Sequence, residues 1–259
     1  MKQCIIRNKY RIAAFGLVMA FWWGMSQIYS PLVVPPIGSV AEKLKVILSS
    51  TKLWKEILNT MIRLLWGLGL GTGLGCLTGL AGGLYRPFKG IFKPVLGIIQ
   101  VVPPVSWLIL AIIWLGYNGK ASIFIVVMAV TPAIFISISD GITAIDKKLI
   151  QMGRVFQFPF WKMLRYIYIP SVAPFFFSGL KIAVGTACKT VVMGEVLTTT
   201  SGIGGQIMTA RLNIEPETVI AWTVIVVGLY YVWVWMGKMV PILLRFRKKH
   251  TGKDKNFHA

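Results

Sequence analysis

Acidic side chains are scarce in this chain, 8 Asp and Glu against 28 Lys and Arg in 259 residues, for a formal net charge of +20. Charge of either sign is also thin, at 14% of residues beside 56% hydrophobic, a balance foreign to water-soluble domains. Three cysteines, Cys4, Cys76 and Cys188, lie far apart without a paired spacing. They support neither a disulfide framework nor a zinc site and read as packing residues. Two histidines, His250 and His258, fall in a charged tail, where solvated side chains are the plain reading, and no nucleophile stands beside a partnered base. No phosphate-binding loop of the form GxxxxGK[ST] occurs; Gly116-Tyr117-Asn118-Gly119-Lys120 lacks both the spacing and the hydroxyl residue. The chain is therefore expected to bind no metal or cofactor of its own and to catalyse no covalent step.

What is present is apolar length. A bilayer core of ~30 Å needs about 20 helical residues. Charge-free windows of about that length lie at 12–30, 64–85, 94–119, 121–139 and 218–237. A sixth stretch, 171–196, is apolar but carries Lys181, Lys189 and Glu195, which inside a membrane face protein or water. The first run follows a basic start like that of a signal peptide, yet it is too long for a signal core and lacks a clear small-residue cleavage site, so it reads as a retained span. The expectation is an all-α, polytopic membrane protein, a single domain over 1–259. Its six transmembrane helices are placed at 12–30, 57–85, 94–119, 121–139, 171–196 and 218–240, with a loop over 146–170.

The surplus of cations tests this arrangement. The N-terminus, 86–93, 146–165 and the tail from Lys238 hold nineteen basic residues, and the opposite side holds six: Lys43, Lys45, Lys52, Lys55, Lys120 and Arg211. That asymmetry places both termini and the 146–170 loop in the cytoplasm. It also explains the charge without a nucleic-acid partner, for which there is no motif.

Within the second span Gly67, Gly71, Gly75, Gly79 and Gly83 recur every four residues, with Gly69 and Gly73 on a neighbouring face. Such a ridge admits a close helix partner, within the subunit or across a subunit seam. Pro103, Pro104 and Pro132 interrupt the third and fourth spans, where freed backbone groups need partners from neighbouring helices or cavity water.

The loop between the fourth and fifth spans reads IDKKLIQMGRVFQFPFWKMLRYIYIP, residues 145–170. Leu149, Met152 and Phe156 recur at helical spacing, Pro159 forces a break, and Phe160, Met163, Leu164 and Ile167 begin a second apolar face. Two short amphipathic helices meeting at a bend are expected. They either lie on the inner leaflet or dock as an apolar knob into a groove on a cytoplasmic partner.

This loop, followed by SVAPFFFSGLKIAVGTACKTVVMGEVL (171–197) and SGIGGQIMTARLNIEPETVIAWTVIVV (201–227), resembles the permease of a type I ABC importer. The likeness is to the nitrate/sulfonate/taurine group of binding-protein-dependent systems and runs from about Ile57 to Gly237. The resemblance implies the MetI-like permease fold in a bacterial inner membrane. It implies ATP-binding subunits that carry ATP and magnesium, an extracytoplasmic solute-binding protein, and a second permease subunit, here a homodimer partner embedded in the same lipid. In that family the loop bears a Glu-Ala-Ala triplet, three residues, a glycine, nine residues and an apolar-x-apolar-Pro ending. Counting back from Pro170 puts the triplet on Gln151, Met152 and Gly153 and the glycine on Gln157. Gly153 keeps the small third residue and Ile167-Tyr168-Ile169-Pro170 keeps the ending; Gln157 departs from the pattern, with Phe158-Pro159 available to form the turn. The implied role of Gln151, Met152, Gly153, Phe156, Gln157, Pro159, Phe160 and Pro170 is ATPase coupling.

Among intramembrane charges, Arg63 and Glu195 fall at similar depth and are expected to touch, because an unpaired charge there costs at least ~2.5 kcal/mol. Lys181 lies near the cytoplasmic start of its span and can snorkel. Lys189 lies two turns deeper and is the pathway candidate, suited to an anionic or polar solute, with Asp140 or Glu195 as alternative counter-charges. The rival reading is a stand-alone secondary transporter or channel, which needs a relay of buried carboxylates that Glu195 and Asp140 supply poorly. A purely structural membrane anchor leaves the amphipathic loop without a purpose.

Overall fold

The computed structural model describes residues 2–199 and 201–251. His258 lies outside them, as do the side chains of Cys4, of His250 and of the tail from Lys238. The described residues form helices α1 (Lys2–Ile28), α2 (Ile37–Ser49), α3 (Thr51–Leu84), α4 (Arg86–Val101), α5 (Pro104–Leu115), α6 (Gly119–Thr143) and α7 (Lys147–Val155). They continue through α8 (Phe160–Met163), α9 (Ile169–Thr198), α10 (Gly202–Leu212) and α11 (Pro216–Thr251), with no strand among them.

The core is a three-helix sandwich with α6 in the middle, and the glycine ridge explains one half of it. A Cβ built on Gly67, Gly71, Gly75, Gly79 or Gly83 would run into Val126, Val130, Ile134, Ile138 or Ile142, in that order. Two four-residue ladders thus mesh in parallel, each glycine receiving a β-branched side chain. Because lipid tails are as apolar as the helices, this contact is held by close packing rather than by escape from water. The ridge serves packing inside the chain, whereas a Cβ on Gly69 or Gly73 would meet nothing within 4 Å.

The other face of α6 carries α9, running antiparallel to it. Gly141 faces Phe175, Gly179 faces Ser137, and Gly194 faces Ser122 and Ile125. The buried side chains Val126, Val130, Ile134 and Ile138 of α6 join Ala183, Val184, Ala187 and Val191 of α9 in one cluster. A second cluster lies at the far end, where Val40 and Ile47 of α2 and Ile57 of α3 meet Ile203 of α10 and Trp222 of α11.

The expected third span, 94–119, is not one helix and is corrected here. Helix begins at Arg86, breaks at Val102-Pro103, and resumes at an angle of 95°. Two adjacent prolines account for the break: each forces the residue before it out of the helical region, so Val102 has ψ 127 and Pro103 ψ 137. Pro132 stands alone and stays inside an unbroken, 25-residue α6, consistent with neighbours that absorb a single lost bond. Four helices among the described residues are long and apolar enough to cross a membrane, and the bent pair makes five. α1 adds a further helix of 27 residues, so six spans are consistent with the structure.

The second loop helix is likewise not separate. α8 passes through a π-helical stretch, Leu164–Tyr168, directly into α9, giving one helix of 39 residues, Phe160–Thr198. The wide turn, closed by Ile169 N–H donating to the Leu164 carbonyl, precedes Pro170, whose ring would strike the carbonyl four residues back in a regular helix.

Candidate functional site

Two places concentrate the unusual chemistry, one at each end of the long α8–α9 helix.

At the basic end, Asp146 caps α7 by accepting from the Lys148 N–H at 2.9 Å. α7 ends in a Schellman closure: Phe158 N–H donates to Gly153 O and Gln157 N–H to Arg154 O, both at 2.9 Å. The closing residue, Gln157, has φ 49, the left-handed region where glycine is cheapest. The bend expected where the family has glycine is therefore present with a side chain in that position. Pro159 then starts the next helix. Gly153 is buried, and a Cβ there would press on Met163 and Ile167, so the small residue lets α7 lie against the root of α9.

What this bend displays is apolar. Phe156 is 66% exposed, Phe160 59% and Trp161 75%, with Val155 and Met152 exposed beside them. Gln151, Gln157, Pro159 and Pro170 are exposed as well. Around them stand Lys147, Lys148, Arg154, Lys162 and Arg165. Large exposed apolar side chains ringed by cations give this bend an apolar centre and a basic rim.

At the opposite end, the expected contact exists: Arg63 Nη1 lies 2.7 Å from Glu195 Oε1. The sequence reading missed the rest of the assembly. Thr60 donates to Glu195 Oε2 at 2.7 Å, and Gly204 N–H donates to the same oxygen at 3.0 Å. Ile203 N–H donates to Thr60 Oγ1 at 2.8 Å, and Gly202 N–H to Glu56 Oε2 at 2.6 Å. Arg63 also donates to Ser201 O at 3.0 Å and to Ser201 Oγ at 2.7 Å.

The first three N–H groups of α10, which no helix can satisfy internally, are thus received by Glu56, Thr60 and Glu195, borrowed from α3 and α9. Glycine is required here twice. Gly202 has φ 89, and a Cβ on it would collide with the Glu195 carboxylate; one on Gly204 would strike the α9 backbone at Val192 and Val196. The SGIGG motif is the geometry of a helix end seated on a buried carboxylate. The available signal was the spacing of Glu56, Thr60 and Arg63, which share one face of α3.

Lys189 is placed differently from either alternative. It is exposed on α9 in line with exposed Ile182 and Leu197. No carboxylate pairs with it among the described residues, for Glu195 takes Arg63 and Asp140 takes Lys89 at 3.4 Å. Lys181 is exposed nearer the basic end. No group of metal-ligating side chains occurs among the described residues.

A bundle of long apolar helices with one bent pair is the architecture of a polytopic membrane protein. Residues 71–241 match the family of binding-protein-dependent transport system inner membrane components, and the chain belongs to that family. It is 25% identical over 217 residues to the taurine transport system permease protein TauC of Escherichia coli strain K12, covering 81% of this chain and 79% of that protein. It is 26% identical over 243 residues to the putative aliphatic sulfonates transport permease protein SsuC of Bacillus subtilis strain 168, covering 93% and 86%. Its fold is similar to a chain of the inward-facing methionine ABC transporter MetNI, with TM-score 0.60 at 16% identity over 73% of this chain and 94% of the other. The chain is an ABC importer permease of the nitrate/sulfonate/taurine type, and a multi-pass inner membrane protein.

Proposed function

We propose that this permease forms one wall of a pathway for a small oxyanion, and that its energy comes from a separate ATP-hydrolysing subunit seated on the 146–170 bend. The observation that carries this reading is the exposed Phe156, Phe160 and Trp161 cluster held on a bend of defined geometry. An ATPase whose affinity differs between two arrangements of the spans shifts the permease between them, because a ligand moves an equilibrium only by its differential affinity. In this reading both termini face the cytoplasm, a solute-binding protein docks on the α2, α10 and α11 end, and a second copy completes the pathway. ATP and magnesium reside on the ATPase.

Lys189 supports the oxyanion. An exposed ammonium within an apolar span needs water or an anion beside it rather than lipid, and the relatives TauC and SsuC are named for the transport of taurine and of aliphatic sulfonates. A stand-alone carrier is less well supported, since both candidate relay carboxylates are already held by cations.

Gentle solubilisation and identification of co-purifying chains tests the partners: an ATPase and a binding protein are expected, and a lone permease overturns the reading. For the solute, Lys189→Met is expected to lower sulfonate uptake at least tenfold while leaving the complex assembled; full uptake removes Lys189 from the pathway.

A further inference from the structure

The cytoplasm-facing start of α4 carries a feature that neither the bend nor the clamp uses. Arg86, Lys89, Gly90, Lys93 and Pro94 line an open pocket of about 660 Å³. Lys89 is tied to Asp140 at 3.4 Å and donates to Thr143 Oγ1 at 3.1 Å. Arg86 and Lys93 are exposed, and neither has a carboxylate in ion-pair range among the described residues.

The pocket's floor is apolar and continues up the helix. Gly90, Pro94, Gly97 and Val101 recur at three- and four-residue spacing, and a Cβ on Gly90 or Gly97 would meet nothing within 4 Å. Val101 is 83% exposed, and Ile91 and Ile98 beside it are exposed too. The opposite face of α4 is occupied, with Leu96 buried and Phe92 against Phe135.

We infer that this groove is a binding site for an anionic phospholipid of the cytoplasmic leaflet, its phosphate held by Arg86 and Lys93 and an acyl chain lying over Gly90, Pro94, Gly97 and Val101. The order of the two chemistries matches a lipid. Cations stand at the membrane surface, where headgroup phosphates lie, and the bare apolar strip runs from them toward the hydrocarbon. A water-soluble anion has no use for the strip, and a protein helix would not call for two cations at its rim. Basic pockets beside spans on the cytoplasmic side are suited to such headgroups, each nearby cation contributing about fivefold in affinity.

The test uses the full chain, purified in mild detergent and then placed in nanodiscs of pure phosphatidylcholine or of phosphatidylcholine with 30% phosphatidylglycerol. Native mass spectrometry is expected to find phosphatidylglycerol retained by the wild type. Arg86→Gln/Lys93→Gln lowers that retention at least tenfold, and Lys120→Gln, at the other side, does not. Gly90→Phe fills the groove with no change of charge and lowers retention as well, while melting in phosphatidylcholine discs stays at the wild-type value. Thermal protection by phosphatidylglycerol that inorganic phosphate does not reproduce identifies the lipid. Undiminished retention in both variants, or equal protection by inorganic phosphate, overturns the site; lost uptake with retention intact makes the groove a vestibule of the pathway instead.

Discussion

The two ends of the α8–α9 helix solve opposite problems. At one end the 146–170 bend leaves large apolar side chains in the open and closes on a residue in a costly backbone conformation. At the other, Glu195 is 0% exposed and its carboxylate receives Arg63, Thr60 and an α10 N–H. The first leaves apolar surface uncovered, and the second is satisfied within the chain. The difference fits the proposed division of roles, in which the exposed apolar knob meets the ATPase and the satisfied buried network fixes geometry.

Glu195→Leu is the strongest way to break the contrast, because it takes from Arg63 its counter-charge and from the Thr60 hydroxyl and the Gly204 N–H their shared acceptor oxygen. A loss of about 3–5 kcal/mol is expected, the range for removing one member of a buried ion pair. It is read as a lower melting temperature of the solubilised permease and faster proteolysis near residue 201. Glu195→Gln keeps an acceptor and is expected to recover part of that loss; equal damage by both would assign the effect to charge alone.

Phe156→Asp attacks the other end. No change in melting is expected, yet co-purification of the ATPase falls by about 30-fold, as for an anchor worth about 2 kcal/mol. An unfolded variant or undiminished co-purification contradicts docking there.

Gln157→Gly sharpens the comparison by relieving the bend. It removes a left-handed side chain, a gain of about 1 kcal/mol, seen as a small rise in melting temperature with ATPase contact preserved. No rise would mean that the Gln157 side chain earns its place in some contact.

The smallest effect lies at Glu215, which ties α2 to α11 through Lys43 at 3.4 Å. The Thr218 hydroxyl above all holds its carboxyl below the ordinary value of 4.5; burial opposes it, and the Lys43 ammonium adds to the lowering. A lowered value means the tie is fully present above pH 4.5 and lost as pH falls through the folded value. Hydrogen-exchange protection at the start of α11 is expected to fall only in that acid range; Lys43→Met reduces the dependence and Thr218→Val reduces it further.

Much of this was legible in the sequence, for reasons that differ by region. The glycine ladder of α3 announced a close partner, but naming α6 needed the matching ladder from Val126 to Ile142, which looks like any apolar run until its β-branched residues are counted in fours. Arg63 and Glu195 were paired by depth alone. The α10 end escaped notice because backbone N–H groups leave no trace in a residue list, and only the SGIGG glycines mark the place. Pro103-Pro104 and Pro132 looked alike as interruptions, and the difference between a 95° break and an unbroken helix rests on one extra ring. Gln157 shows the reverse: a departure from the family pattern that leaves the bend in place.

The interlock of α3 with α6 also limits how this permease moves. Moving one helix a single residue along the other would set Cβ against Cβ at five consecutive levels, so the pair behaves as a beam with teeth rather than a sliding rail. Any rearrangement of the spans then carries this pair as one body and falls on the connections around it, the 95° elbow at Val102-Pro103 included.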